Sequence, residues 1–388
     1  PHLYKIFPSL SGQMGDAFPE LIERKNLIEN CLREEETRFK LTLDRGLKLL
    51  GDELSAQEDK KYFSGEVAFK LYDTYGFPLD LTEDVLRESN IKVDVKAFDK
   101  KMKEQRDKAR ASWTGSGDQS EDKIWADLRS NENPTEFLGY ENEKSQGLIS
   151  KIIIDGKYVE EISANSSGII VMNQTCFYGE SGGQIGDQGH LKGVNGKGKV
   201  IDTKKVGQIF LHFVEVQVGY LQIGDNLELL INEDLRLDIK RNHSGTHLVH
   251  EALRRIVGDH VAQRGSLNNG ERLRFDFSHD KPLTQEQIFL IEQVVNIQIR
   301  KNTPIVTEVM QLESAKQQGA RALFGEKYSD DVRVVKMSPE NDNYFSIELC
   351  GGTHVNYTGD IGFLKIVGES PSSSGVRRLE AVTGKKVM

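Results

Sequence analysis

His243-Ser244-Gly245-Thr246-His247 and Cys350-Gly351-Gly352-Thr353-His354 are the two stretches around which the rest of the chain is read. The first holds two imidazoles four residues apart, one turn along one helix face, so both can reach a single ion. The second holds a thiol and an imidazole at the same spacing across two glycines. Together they offer four nitrogen and sulfur donors, the borderline-soft set that favours zinc (Zn2+) over magnesium or calcium. Each half also has a plainer reading. A lone His-x-x-x-His is often one solvated and one packed histidine, and a lone cysteine is often a small buried hydrophobe. The pairs lie about a hundred residues apart, too far for the metal to nucleate a small finger. Zinc is favoured because both halves carry donors at helical or turn spacing. His250 falls on nearly the same face as His243 and could replace a ligand, but reads rather as an ordinary surface or core histidine.

At 388 residues with 37% hydrophobic content, the chain can bury more than one core, and two or three domains are expected. No apolar run approaches the roughly twenty residues of a membrane span, so no membrane partner is expected. The start, Pro1-His2-Leu3-Tyr4, lacks a basic segment followed by an apolar one. It enters helix within a few residues and reads as the start of an excised fragment. Cys31, Cys176 and Cys350 are an odd, irregularly spaced set. They argue against a disulfide framework and for a reducing, cytoplasmic location. The net charge of −9 carries no basic excess of the kind phosphate binders show. Local exceptions are Lys100, Lys101, Lys103, Arg106, Lys108 and Arg110 on one helix, and Arg377-Arg378. Asp99, Glu104 and Asp107 are interleaved with the first group, so charge alone favours a solvated face there.

Along the chain, Phe18 to Leu50 reads as a long helix with the stripe Ile28, Leu32, Phe39, Leu43, Leu47, Leu50. A shorter helix opens at Ser64-Gly65-Glu66 and ends at Gly76. Pro78 stops it, and Asp80 or Thr82 is expected to cap the next. A further helix spans about Val95 to Ala111. Thr114 to Asp122, polar and small, is the linker candidate, and the linker is taken as 114–135. Short apolar runs then follow, with Ser150–Ile154, Gly168–Met172 and Gln208–Val214 as strands and Asp155-Gly156 and Asn195-Gly196 as hairpin turns. At their centre lies Thr175-Cys176-Phe177-Tyr178-Gly179-Glu180-Ser181-Gly182-Gly183-Gln184, a glycine turn that either admits close backbone approach to a ligand or is simply tight. From Arg236 helix and strand mix. The helix of His243 runs through Leu253 and Ile256, and Asn268-Asn269-Gly270 turns into the alternating Arg272 to Phe277. Thr284 and Gln287 form a capping box before the stripe Ile288, Ile291, Val295, Ile299. Val332–Met337 and Gly362–Val367 are strands, with Cys350 and His354 on a loop between them. The expected fold class is multi-domain α+β: a helical domain (1–113), the linker, a small β-barrel-like domain (136–235), then an α+β core (236–388) holding the zinc.

Seven stretches carry a family resemblance. Leu71-Tyr72-Asp73-Thr74-Tyr75-Gly76-Phe77-Pro78, Phe177 to Gln184, His243 to His247, Arg274-Phe275-Asp276-Phe277, Ala322-Leu323-Phe324-Gly325-Glu326-Lys327-Tyr328, Cys350 to His354 and Gly375-Val376-Arg377-Arg378-Leu379-Glu380-Ala381 resemble alanyl-tRNA synthetases of bacterial type, in the family's order. The resemblance implies a fragment from within the tRNA-recognition helices to the end of the editing domain. It would lack the domain that binds ATP and alanine and the carboxy-terminal domain, and so would not charge tRNA. As a fragment it is expected to be monomeric, the full-length parent oligomerising through the missing carboxy-terminal part.

The implied activity is hydrolysis of the ester of tRNA for alanine wrongly charged with serine or glycine. A pocket for alanine cannot exclude glycine and only weakly rejects serine, so binding selectivity of order a hundredfold or less leaves errors for a second sieve. That second site must spare alanine, and polar groups left unpaired by a methyl side chain would do so. Residue by residue, His243, His247, Cys350 and His354 match the family's zinc ligands. Thr246, Gln263 and Ser266 match editing-pocket positions, Thr246 offering a hydroxyl and Gln263 a hold on water or ester. Asp73 matches the carboxylate that reads the G·U pair of the acceptor stem, although from the residues alone it is a turn-capping Asp. Its family partner, an upstream Asn, lies outside the chain, which would weaken wobble-pair specificity. Arg377 and Arg378 are the other expected tRNA contacts, and the partner implied is the acceptor stem and mischarged 3′ end of tRNA for alanine. Two alternatives stand. One is a free-standing editing protein or the similar domain of threonyl-tRNA synthetase, against which the segment bearing Asp73 speaks. The other is an acceptor-stem binding module with a structural zinc and no hydrolytic activity.

Overall fold

The computed structural model describes residues 2–23, 25–56, 62–112, 119–321, 329–340, 343–373 and 375–387. The chain divides into two compact units, residues 1–116 and 117–388. The first is helical, with α1 (Leu3–Met14), α2 (Glu20–Glu23), α3 (Lys25–Ala56), α4 (Gly65–Tyr75), α5 (Leu79–Glu88) and α6 (Val95–Ser112). It also carries a parallel pair, β1 (Tyr62–Phe63) with β2 (Lys92–Val93).

The core of this unit gathers Leu50, Phe63, Leu71, Phe77, Leu86 and Phe98, with Leu43, Leu49 and Leu54 packed against them. The inward face of α3 therefore runs through Leu43, Gly46, Leu50 and Leu54. Phe39 and Leu47, members of the expected stripe, are exposed. Gly46 supplies the reason: a side-chain carbon there would lie 2.1 Å from the Phe77 ring. Phe77 seats on bare helix backbone, and that contact fixes which face turns inward. α4 ends as read, with Gly76 at φ 66° and its N–H on the carbonyls of Leu71 and Tyr72. The start of α5 differs from expectation. Pro78 itself is the N-cap, the Thr82 hydroxyl donates back to the Pro78 carbonyl, and Asp80 accepts only from its neighbour Leu81, so neither caps. Proline fits because the N–H it lacks is one that a helix start leaves unpaired. On α6, Lys101 pairs with Glu66 and Glu104, in keeping with a solvated face. The side chains of Arg106, Lys108 and Arg110 lie outside those described.

The second unit opens with α7 (Gln119–Asn131), in the middle of the stretch read as linker to residue 135. Its Ile124 and Leu128, one turn apart, pack on Ile153, Val171, Ile209 and Leu211, with Trp125 packed against the same cluster; these apolar side chains dock a helix that its polar first turn disguises. The remaining linker candidates, 114–118, lie outside the described residues. There follow β3 (Glu136–Phe137), β4 (Lys144–Ile154), β5 (Lys157–Val159), β6 (Glu161–Ser163), β7 (Ser167–Met172), β8 (Gln174–Thr175), β9 (Gly189–Lys192), β10 (Gly196–Val206), β11 (Ile209–Gln222) and β12 (Asn226–Ile231). Six of them close a ring: β4 pairs β7, then β11, β10, β9 and β12 in turn, and β12 returns to β4, all antiparallel. Closure removes the open edges, and Ile149, Ile170, Leu191, Val200, Val214 and Leu229 belong to the core it encloses. Asp155 and Gly156, at φ 49° and 70°, make the two-residue turn from β4 to β5 that a right-twisted hairpin prefers.

The rest of the unit mixes helix and sheet: α8 (Glu233–Val257), β13 (Gln263–Asn268), β14 (Leu273–Ser278), α9 (Gln285–Arg300), β15 (Val306–Gln311), α10 (Leu312–Gln317), β16 (Asp331–Glu340), β17 (Asn343–Leu349), β18 (Leu364–Ser373) and β19 (Val376–Thr383). One sheet has the order β13-β14-β19-β18, the other β15-β16-β17. β15, β17 and β19 are elements that the sequence pattern alone does not mark. The expected capping box at Thr284 and Gln287 is present. Leu248, Leu253, Phe275, Phe277, Ile291 and Val295 belong to one continuous core. Among the described residues no helix is long and apolar enough to cross a membrane.

One buried ion pair joins α8 to the barrel. Arg236 is 1% exposed. Its Nε donates to both Asp187 oxygens at 2.9 Å, and its terminal nitrogens to the carbonyls of Gly139 at 2.8 Å and Cys176 at 2.9 Å. Asp187 also accepts the Tyr178 N–H at 2.6 Å, which fixes the start of the glycine-rich loop. Asp187→Ala would strand a buried guanidinium and is expected to cost about 3–5 kcal/mol, measured by urea unfolding followed by circular dichroism. A cost near zero would contradict this role.

Candidate metal centre

Asn232 starts α8 by accepting the Leu235 N–H at 3.1 Å, and Glu233 and Asp234 follow in its first turn, where negative charge suits the helix dipole. Its middle, from Asn242 to Leu253, is buried. His243 and His247 project from one face, their ring centroids 5.3 Å apart. The 350–354 loop leaves the end of β17 and brings His354 to 4.5 Å and 5.0 Å from those rings. Cys350 Sγ lies 3.4 Å from His243 Nε2 and 3.3 Å from His354 Nε2. One ligand atom from each of the four residues lies within 4.8 Å of the others.

The loop is clamped from outside. Arg333 donates to the carbonyls of Cys350 and Gly352 at 2.9 Å and sits 4.3 Å from the centre of the Tyr140 ring. The Tyr140 hydroxyl donates to the Gly351 carbonyl at 2.7 Å. Only glycine fits at 352, because a side-chain carbon would lie 2.0 Å from His243 Cε1.

Every imidazole of the cluster has a partner at its outer nitrogen. His243 Nδ1 meets Gln184 Oε1 at 2.8 Å, His247 Nδ1 meets Glu348 Oε2 at 2.6 Å, and His354 Nδ1 meets Ser244 Oγ at 3.2 Å. Glu348 also takes His250 Nδ1 at 2.8 Å. His250 is thus a buried core histidine held beside the cluster and not one of its four donors. The inner Nε2 of His247 is buried without a hydrogen-bond partner. A buried nitrogen aimed at a thiol and two further imidazoles is what a ligand position requires, and the donor set is that of a zinc-type site.

The electrostatics favour a thiolate at Cys350. Burial alone would raise the Cys350 thiol, but the imidazoles of His243, His354 and His247 outweigh it and hold the group well below its usual range. Burial pushes His354 down to about 3, against the pull of the Cys350 charge. At His247 burial acts downward too, but the Glu348 carboxylate and Cys350 overcome it and raise the group. The Cys350 thiolate and the neutral His354 are the forms that a metal takes, whereas His247 has a proton to give up on binding one.

The pocket candidates are brought only partly together. Gln263 and Ser266 share β13 and are bonded, Nε2 to Oγ, at 3.1 Å. Residues three apart on a strand ordinarily face opposite ways, and the irregularity between Gln263 and Gly265 in the pairing with β14 turns these two to one side. Ser266 also abuts the glycine loop, since a side chain at Gly183, φ 81°, would strike its Oγ. Thr246 is 4% exposed. Its hydroxyl lies 3.0 Å from the Asn242 carbonyl and 2.7 Å from the Asn268 side chain, so it is engaged within the protein. Asp73, in the other unit, accepts from Gln105. Arg377 makes two bonds to Glu369, and Arg378 two to Asp276. The stretch Ala322 to Tyr328 lies outside the described residues.

Glu348, Ser244, Tyr140 and Arg333 escape the sequence reading. Glu348 alone leaves a signal, standing two positions before Cys350 at the end of a strand and so on the same face.

Comparison with known proteins gives two family matches. Residues 1–235 match the family described as tRNA synthetases class II (A), and residues 332–380 the threonyl and alanyl tRNA synthetase second additional domain. Cys350 and His354 lie within the second match, while His243 and His247 fall between the two. The chain is 50% identical over 395 residues to an alanine–tRNA ligase of Paracoccus denitrificans, covering 100% of this chain and 45% of that protein. It is 51% identical over 393 residues to the alanine–tRNA ligase of Granulibacter bethesdensis, with the same coverages of 100% and 45%. That of Dinoroseobacter shibae is 50% identical over 392 residues, covering 99% of this chain and 44% of the relative. The chain thus spans less than half the length of these relatives. With a class II match over more than half its residues and a second additional domain carrying half of its metal-type cluster, the chain belongs to the alanyl-tRNA synthetase family.

Proposed function

We propose that this chain hydrolyses the ester of tRNA for alanine mischarged with serine or glycine, at a pocket built around a zinc ion held by His243, His247, Cys350 and His354. The observation that carries the reading is the convergence of those four donors, with Gln263 bonded to Ser266 and Ser266 against Gly183, next to the Gln184 that reaches His243. Bound there, zinc would supply Lewis acidity and a fixed anchor for the substrate's polar groups. Gln263 and Ser266 are half-buried polar groups, suited to holding an ester or a water at hydrogen-bond distance. Thr246, pinned by Asn242 and Asn268, is proposed to shape the wall that tells a hydroxymethyl side chain from a methyl.

For the tRNA itself, Asp73 is proposed to read the acceptor stem. Arg378, a third of its side chain exposed, is proposed to contact phosphate. Arg377 is only 11% exposed at its side chain and engaged by Glu369, so ordering the β18–β19 turn is the better account of it.

One observation favours a second reading. Four protein donors fill a tetrahedral site, as structural zinc centres do, and a binding module without hydrolysis would need no more. The deciding experiment offers seryl-tRNA and alanyl-tRNA for alanine to the chain, before and after chelation. Hydrolysis of the seryl ester alone, lost with the metal, is expected. Bound zinc without hydrolysis would favour the binding module.

Two variant sets refine this. With zinc content held constant, Gln263→Ala is expected to slow seryl-tRNA hydrolysis by about a hundredfold, while Thr246→Val is expected to raise hydrolysis of alanyl-tRNA relative to seryl-tRNA. Unchanged rates in both would contradict their roles. Gly352→Ala, which removes no ligand, is expected to abolish stoichiometric zinc by forcing His243 aside, as measured by metal analysis of the purified chain. Full zinc content in that variant would contradict the geometry.

A further inference from the structure

We infer that Gln184, carried by the barrel's glycine-rich loop, is a positioning residue of the metal centre, its side-chain oxygen deciding which nitrogen of His243 faces the ion. The inference rests on the zinc reading above and extends it to a residue outside the ligand set.

One group beside Gln184 has a fixed role. The backbone N–H of Thr353 can only donate, and it lies 2.9 Å from Gln184 Oε1. That atom is therefore the amide oxygen. The amide nitrogen is then the one that donates to Thr353 Oγ1 at 2.9 Å. The same oxygen faces His243 Nδ1 at 2.8 Å, and as an acceptor it requires the proton to be on Nδ1. The lone pair of His243 is left on Nε2, the atom turned towards Cys350 Sγ. Gln184 is 0% exposed, so bulk water does not substitute for it.

One amide thus joins a ligand on α8 to the loop between Cys350 and His354, from a strand-linking turn that belongs to neither. Its backbone is held as well: Gln184 N–H donates to the Ser181 carbonyl at 3.0 Å, and Asn268 N–H to the Gly183 carbonyl at 2.6 Å. Outer partners of this kind orient metal-bound histidines and raise their basicity, and their loss typically lowers metal affinity by about 10–100-fold. Glu348 stands in the matching place at His247, but it is shared with His250, whereas Gln184 serves His243 and Thr353 together.

The test compares Gln184→Met, of similar length without an oxygen, with Gln184→Glu, which keeps the acceptor. Zinc affinity of the whole chain is measured by competition with a chromophoric chelator, and the cobalt(II)-substituted chain is examined by absorption spectroscopy. Gln184→Met is expected to lose about 10–100-fold in affinity and to shift the cobalt bands. Gln184→Glu is expected to restore both towards the parent. Parent-like binding by both variants, or equal losses in both, would overturn the inference. A parent chain that takes up no zinc would overturn the zinc reading with it. Should Gln184→Met fail to fold, the unsubstituted chain loaded with cadmium-113 gives the answer by NMR. Coupling of the metal to His243 Nε2, with a proton retained on Nδ1, is expected, and coupling to Nδ1 would overturn the proposal.

Discussion

Collecting a thiol and three imidazoles out of water, with their bonding nitrogens pointed at one another, is the constraint to which the second unit answers. Histidine has two nitrogens, and each inward Nε2 needs an outward Nδ1 that is satisfied by something else, since an unpaired buried polar group costs about 1–3 kcal/mol. Gln184, Glu348 and Ser244 meet that need from three different elements. The surrounding architecture serves to carry those three to the same place. The closed barrel delivers the Gln184 loop, β17 delivers Glu348 and leads directly into Cys350, and α8 delivers Ser244 between its own two histidines of the cluster.

Rigidity follows from the same contacts. Arg236 and Asp187 fix α8 against the barrel, while Arg333 and Tyr140 fix the 350–354 loop through its carbonyls. Gly352 lets that loop lie against the His243 ring. A pocket meant to separate substrates by one hydroxyl gains from such fixed walls, because discrimination fails when polar groups can re-pair with one another or with water. The bulged start of β13, which turns Gln263 and Ser266 to one side, fits this account of the proposed editing site.

The cluster of four donors was legible in the sequence because helical spacing puts His243 and His247 on one face whatever the tertiary fold, and because the Cys350–His354 pair repeats that spacing. The helical unit, the barrel texture and the hairpin at Asp155-Gly156 were legible for the same reason, local pattern. Features that depend on a distant contact were not. The inward face of α3 is set by Phe77 landing on Gly46, and α7 is held by Ile124, Trp125 and Leu128 on the barrel. The pairing of Arg378 with Asp276 joins strands 102 positions apart. Gln184 stood in a recognised motif, yet its partner His243 lies 59 positions away, and nothing in the spacing could disclose that bond.

The central claim is that these four side chains close on one zinc ion. X-ray absorption at the zinc edge of the purified full chain tests it most directly. The account predicts one zinc per chain with a first shell of one sulfur and three nitrogens, the nitrogens showing the outer-ring scattering of imidazole. A shell dominated by oxygen, or one lacking sulfur, would contradict it.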